Sequence, residues 1–178
     1  MSVFGKVSKG LTAALLLVFG SKVAQALPKV GQIAPDFSLR SQEGKHVSLK
    51  EFKGQWVVLY FYPRDMTSGC TIQAHNFQRD SALYAAANAV VLGVSVDNVE
   101  SHQEFCTKES LSFRLLADTS ASVSKSYGSL MNMMGVKLSE RNTFLIDPHG
   151  KIAKVYPKVS VSKHSTEVLA DLKTLQAK

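Results

Sequence analysis

The chain has 178 residues, 45% of them hydrophobic and 20% charged, which suits one globular domain with its own core. Its formal net charge of +7 raises a nucleic-acid reading, but the Lys and Arg residues are scattered among acids, with no basic stripe and no interleaved aromatics. Nucleic-acid binding is therefore poorly supported, and the chain shows no internal repeat and no low-complexity tract.

Residues 1–26 stand apart. Lys6 and Lys9 precede the apolar run Leu11 to Phe19, no acidic residue occurs before Asp36, and Ala24-Gln25-Ala26 places small residues where a signal peptidase reads. This is the layout of a secretory signal, and its apolar run falls short of the roughly 20 residues that span a bilayer. We expect a signal peptide over residues 1–26, a single domain over residues 27–178, and an exported, periplasmic mature protein without stable membrane association. Removing Lys6, Lys9 and Lys22 lowers the net charge to +4. An uncleaved anchor is the other reading of the same residues.

Asp36 to Leu39 and His46 to Leu49, split by Glu43-Gly44, predict a small β-hairpin. Ser48 is placed to cap a short helical turn through Phe52, ended by Gly54. Trp56 to Tyr62 is almost continuously apolar and rich in β-branched and aromatic residues, as a buried central strand is; Pro63 ends it. Thr71 to Asn88 reads as a helix with Phe77 and Tyr84 on one face, and Val90 to Val96 as a second buried strand, giving a βαβ unit. Asp97 and Asn98 are N-cap candidates for a helix through Glu109. Phe113 to Leu116 is a short strand, and Asp118 caps a helix ending at Tyr127-Gly128. Ser129 to Glu140 shows no clear period and reads as a loop. Asn142 to Ile146 and Ile152 to Tyr156 flank the turn Asp147-Pro148-His149-Gly150, and the last helix runs from about Ser165 to Gln176. The fold class is α/β: a mixed central sheet with helices on both faces and an N-terminal β-hairpin, the layout of a thioredoxin-like fold.

Chemistry concentrates after the central strand. Cys70 opens the Ala-rich helix, where free N–H groups and the helix dipole favour thiolate over thiol. Ionisation alone does not make a fast nucleophile; donors must also be aimed at the atoms where charge develops. Thr67, three residues before Cys70, can offer a hydroxyl to both sulfur and substrate, and Pro63 can fix the strand exit and shield the sulfur. Each has a local alternative: Pro63 as a strand stop, Thr67 as a helix cap. Cys106 is the one other cysteine. Two cysteines in an exported chain suggest one bridge, which serves equally as a staple or a working redox pair.

The pattern Pro63-x-x-x-Thr67-x-x-Cys70 resembles the active-site motif of the peroxiredoxins. The resemblance extends over most of residues 30 to 170, including Gly31 to Phe37 and Arg141 to Asp147, and is greatest to the bacterioferritin comigratory protein, or peroxiredoxin Q, branch. It implies reduction of hydrogen peroxide and organic hydroperoxides, a thioredoxin-like dithiol reductant, no metal or organic cofactor, and a monomer. It also implies that Arg141 holds thiolate and peroxide, and that Cys106 is the resolving thiol of an atypical two-cysteine enzyme. There are departures. His75 stands where many relatives carry the resolving cysteine, Met66 and Ser68 replace residues often acidic and proline, and the loop before Arg141 is short. His75, at i+5 from Cys70, reads as a solvated helix residue. His102 and Cys106, at i and i+4, make half a metal site with no second half in view. The rival readings are an exported thioredoxin-like disulfide oxidoreductase, which would want Cys-x-x-Cys, and a non-catalytic binding module stapled by Cys70–Cys106.

Overall fold

The computed structural model describes residue 1 and residues 26–177. The leader expected over residues 1–26 rests on residues 2–25, which lie outside the described residues.

A seven-stranded mixed sheet forms the centre. Its strands are β1 (Ser38–Ser41), β2 (His46–Ser48), β3 (Trp56–Phe61), β4 (Ala89–Ser95), β5 (Arg114–Ala117), β8 (Thr143–Ile146) and β9 (Ile152–Tyr156), in the order β2-β1-β5-β4-β3-β8-β9. β3 and β4 pair parallel, as do β4 and β5, while the outer strands pair antiparallel. β3 is central because it is apolar on both faces: every residue from Val57 to Phe61 is buried. Its even-numbered residues Val58 and Tyr60, with Tyr62, pack under three helices, α1 (Ser68–Arg79), α3 (Val99–Glu109) and α5 (His164–Gln176). Its odd-numbered residues Val57, Leu59 and Phe61 face Phe37, Phe52 and Tyr127, on the side of α4 (Ser122–Ser126).

Several boundaries moved from their sequence expectation. The helix predicted from Thr71 starts at Ser68, so Cys70 is its third residue, and Asp80 breaks it before α2 (Ser81–Ala86). At the break the Asp80 carboxylate accepts from the Arg79 guanidinium and from the Ser165 hydroxyl, which ties this corner to α5. The capped turns are as read: Ser48 and Glu51 form a full capping box, and Asn98 accepts from the Ser101 N–H. The clear correction is Ser129 to Glu140, which is a hairpin rather than a loop: β6 (Leu130–Met133) pairs antiparallel with β7 (Val136–Ser139). Its turn is Met134-Gly135, both at positive φ. Most of its residues are exposed on both faces, so no two-residue apolar alternation marks them as strands.

The sheet order brings the C-terminal end of β3 beside the N-terminal end of β8, with Tyr60 opposite Thr143. The turn leaving β3 and the turn entering β8 therefore meet at one edge of the sheet.

Candidate active site

The turn from β3 into α1 carries Pro63, Asp65, Met66, Thr67 and Cys70. Pro63 is half-buried at the strand exit. Met66 sits at φ 59, a left-handed conformation that a non-glycine residue adopts at a cost and that tends to mark functional turns. The turn is closed by Thr67, whose hydroxyl donates to the Arg64 carbonyl at 3.0 Å. Thr67 makes no side-chain cap of α1 and is exposed. Its one hydroxyl proton is thus engaged by the backbone, and what it offers outward is acceptor capacity, not the donor expected from sequence.

Cys70 lies in the first turn of α1, 1% exposed and unbridged. Arg141 supplies the missing charge: its Nη2 donates to Cys70 Sγ at 3.2 Å, across 71 residues of sequence. Its Nη1 donates to Gln73 Oε1 at 2.9 Å, so one guanidinium spans sulfur and amide. Gln73 is 1% exposed, one turn beyond Cys70 on the same helix face. Gly69 makes room: a Cβ there would lie 2.8 Å from Arg141 Nη2. Arg141 is held by its backbone. Its carbonyl accepts from Val159 N–H at 2.9 Å, and the neighbouring buried Asn142 donates to Ser129 Oγ and accepts from Lys158 N–H, each at 3.0 Å. The β6–β7 hairpin, the missed element, thus provides one of the anchors for the arginine. Pro63, Met131, Glu140, Arg141, Lys158 and Val159 line an open groove of about 280 Å³.

Cys106, on α3, is also buried and free. Burial, with the negative charge of Asp65 behind it, pushes its thiol up to about 12. Tyr60 feels both thiols. Burial and then the charges of Cys70 and Cys106 raise its hydroxyl far above the usual tyrosine range, and that hydroxyl has no hydrogen-bond partner among the described residues. His75 is not simply solvated: its Nε2 lies 2.9 Å from Glu109 Oε2, tying α1 to α3. His102 does not pair with Cys106 around a metal position. It turns to Asp65, and no group of three potential ligands occurs among the described residues.

The structure therefore brings Pro63, Cys70 and Arg141 together, leaves the Thr67 hydroxyl on the turn's own backbone, and leaves Cys106 unbridged in the same buried cluster as Cys70. Gln73, Gly69 and the Asp65–His102 pair were missed. Gln73 had a signal, its i+3 spacing from Cys70; the other two depend on contacts that no spacing shows.

A buried cysteine in the first turn of a helix, facing an arginine on a mixed sheet, defines the site class of thiol-dependent peroxidases. The AhpC/TSA family matches residues 30–155, and the chain belongs to it as a peroxiredoxin enzyme, a thiol peroxidase of thioredoxin-like fold. It is 45% identical over 148 residues to the "Putative peroxiredoxin bcp" of Coxiella burnetii, covering 81% of this chain and 98% of that one. Against "Peroxiredoxin Bcp" of Bacillus subtilis the identity is 40% over 154 residues, covering 84% and 98%. Among solved structures, a cysteine-to-serine mutant of Xylella fastidiosa PrxQ superposes with a TM-score of 0.81 at 33% identity, covering 86% and 99%. The Xanthomonas campestris bacterioferritin comigratory protein, studied for its alkyl peroxide reduction activity, superposes with a TM-score of 0.76 at 34% identity, with the same coverage.

Proposed function

We propose that Cys70 attacks the peroxide and that Cys106 resolves the product. The observation that carries this reading is the 3.2 Å contact from Arg141 to a sulfur in the first turn of α1, where free backbone N–H groups also point. The Cys70 thiolate takes the terminal oxygen of ROOH. The S–O bond forms as the O–O bond breaks, the alkoxide RO⁻ leaves and takes a proton to become ROH, and Cys70 is left as sulfenic acid. Arg141 donates to the sulfur and to the oxygens as charge moves across them. Thr67 accepts from the peroxide O–H, and Pro63 keeps water from the sulfur.

Cys106 then condenses with the sulfenic acid, giving a Cys70–Cys106 disulfide and water, and an external thioredoxin-like dithiol reduces the bridge. No cofactor or metal takes part. The protein works as a monomer outside the cytoplasm, after loss of residues 1–26. The leader's charge and apolar layout supports this location. Consumption of hydrogen peroxide with excess dithiol tests the whole reading: wild type turns over, Cys70→Ser does not. Equal rates in the two would overturn it.

A further inference from the structure

Asp65 and His102 bridge the two segments that carry the cysteines. Asp65 lies in the turn between Pro63 and Thr67, five residues before Cys70; His102 lies on α3, one turn before Cys106. Both are buried, Asp65 at 5% and His102 at 0% exposure. The Asp65 carboxylate accepts three hydrogen bonds: from His102 Nδ1 at 2.8 Å, from the Ser101 hydroxyl at 2.7 Å and from the Tyr62 hydroxyl at 2.7 Å. Two of these donors belong to α3. His102 Nε2 is buried with no partner among the described residues, so the imidazole is held to the loop through Nδ1 alone. Burial opposes the charge on Asp65, but the hydrogen bonds and the charge of His102, with those of Ser101 and Tyr62, outweigh it and hold the carboxyl below the usual carboxylate range.

Forming a Cys70–Cys106 bridge takes Cys70 Sγ from the Arg141 Nη2 that donates to it here at 3.2 Å, and both thiols are buried and free in this structure. The turn that carries Cys70 must therefore leave its arginine, and Asp65 lies in that turn. We propose that the Asp65–His102 pair is a latch that holds the peroxidatic turn on the resolving helix, favouring the peroxide-reactive form and delaying disulfide formation until it opens. Asp65 and His102 are positioning residues in this scheme; neither touches the peroxide. The inference rests on the resolving role given to Cys106.

The physical case has two parts. First, a buried, hydrogen-bonded carboxylate stabilises the closed form only while its donors are in place. Removing His102 leaves a buried charge short of a donor, and that charge gains by reaching water when the turn opens. Second, the closed form holds the resolving thiol inert. Burial and the Asp65 charge push it up to about 12, so thiolate is scarce near neutral pH, and opening to solvent away from Asp65 removes both causes. In the step that follows, the Cys70 S–O bond breaks and the Sγ–Sγ bond forms. The Cys106 thiol proton leaves with the hydroxyl as water.

The test uses the reduced full chain, oxidised with one equivalent of hydrogen peroxide, quenched by alkylation at set times and read by mass spectrometry. His102→Leu is expected to form the Cys70–Cys106 bridge at least fivefold faster than wild type, and to give less Cys70 sulfinic acid under excess peroxide. His102→Asn, which keeps a donor near the Nδ1 position, should return toward wild-type rates, a rescue that general loss of stability would not give. Asp65→Asn is the second variant should His102→Leu fail to fold, and it too should speed bridging. Bridging that is unchanged or slower in the folded variants overturns the latch while the resolving role of Cys106 stands. A wild type that forms no such bridge overturns that role, and the latch with it.

Discussion

Cys70 and Cys106 are both buried and both unbridged, yet their surroundings are opposite. Cys70 has a guanidinium at 3.2 Å and the open N–H groups of the first turn of α1. Cys106 lies in the last turn of α3, where burial and the nearby Asp65 carboxylate both disfavour the thiolate. Burial by itself therefore does not set a cysteine's reactivity; it amplifies whichever charges are nearest, because both kinds of neighbour act through a less polar medium than water. One buried cluster thereby holds two free cysteines whose nearest charges are of opposite sign.

The comparison breaks if Cys106 is not silent. In a Cys70→Ser background, alkylation of native Cys106 should run at least about tenfold slower at pH 8 than in urea, because burial and Asp65 push its thiol up and leave less thiolate, although the thiolate that forms is the stronger nucleophile. The native rate should keep rising through pH 11. Equal rates in buffer and urea would remove the contrast. The other side of the comparison is sharpened by Arg141→Met, which should slow single-turnover oxidation of Cys70 by about 100-fold. That corresponds to about 3 kcal/mol for one preorganised donor. An unchanged rate would make Arg141 a bystander.

A smaller effect is expected from Gly69→Ala. The added Cβ would sit 2.8 Å from Arg141 Nη2, and the guanidinium, not the helix, is the part free to move. We expect about tenfold slower Cys70 oxidation, roughly 1.4 kcal/mol. Thermal stability should be equal or higher, since Ala is the better helix former. A loss of stability with full activity would mean that the contact is packing alone. The smallest effect separates the two cysteines most directly. Cys106→Ser should leave the first oxidation of Cys70 within roughly threefold, about 0.6 kcal/mol. Continuous turnover should fail, and sulfinic acid should accumulate on Cys70. If the first oxidation slowed as much as in Arg141→Met, Cys106 would belong to the peroxide pocket and the division of roles would be wrong.

Elements with a face in the core were legible in the sequence, because burial imposes a pattern on neighbouring residues. β3 announced itself by an unbroken apolar run, β4 and α5 by similar means, and the caps at Ser48 and Asn98 by local chemistry. Pro63, Thr67 and Cys70 were legible for the same reason, as one short stretch at the end of a readable strand. The β6–β7 hairpin was not. Largely exposed on both faces, it has little apolar alternation to read, and its existence follows from Met134-Gly135 turning the chain and from the ladder that pairs Leu130 with Ser139.

The sequence by itself determined the candidate cysteine at the helix start, the sheet that presents it and the family motif around it, all carried by residues close along the chain. Only the tertiary structure decided which partners each cysteine has. Arg141 reaches Cys70 because β8 pairs antiparallel with β3, and Gly69 and Gln73 matter because that arginine arrives above them. The Thr67 hydroxyl turned to its own backbone, and His102 turned from a half-formed metal motif to a buried carboxylate 37 residues away. Each of these is a contact between side chains in competition for hydrogen-bond partners. That competition is settled by distances in the folded molecule, which no spacing in the sequence encodes.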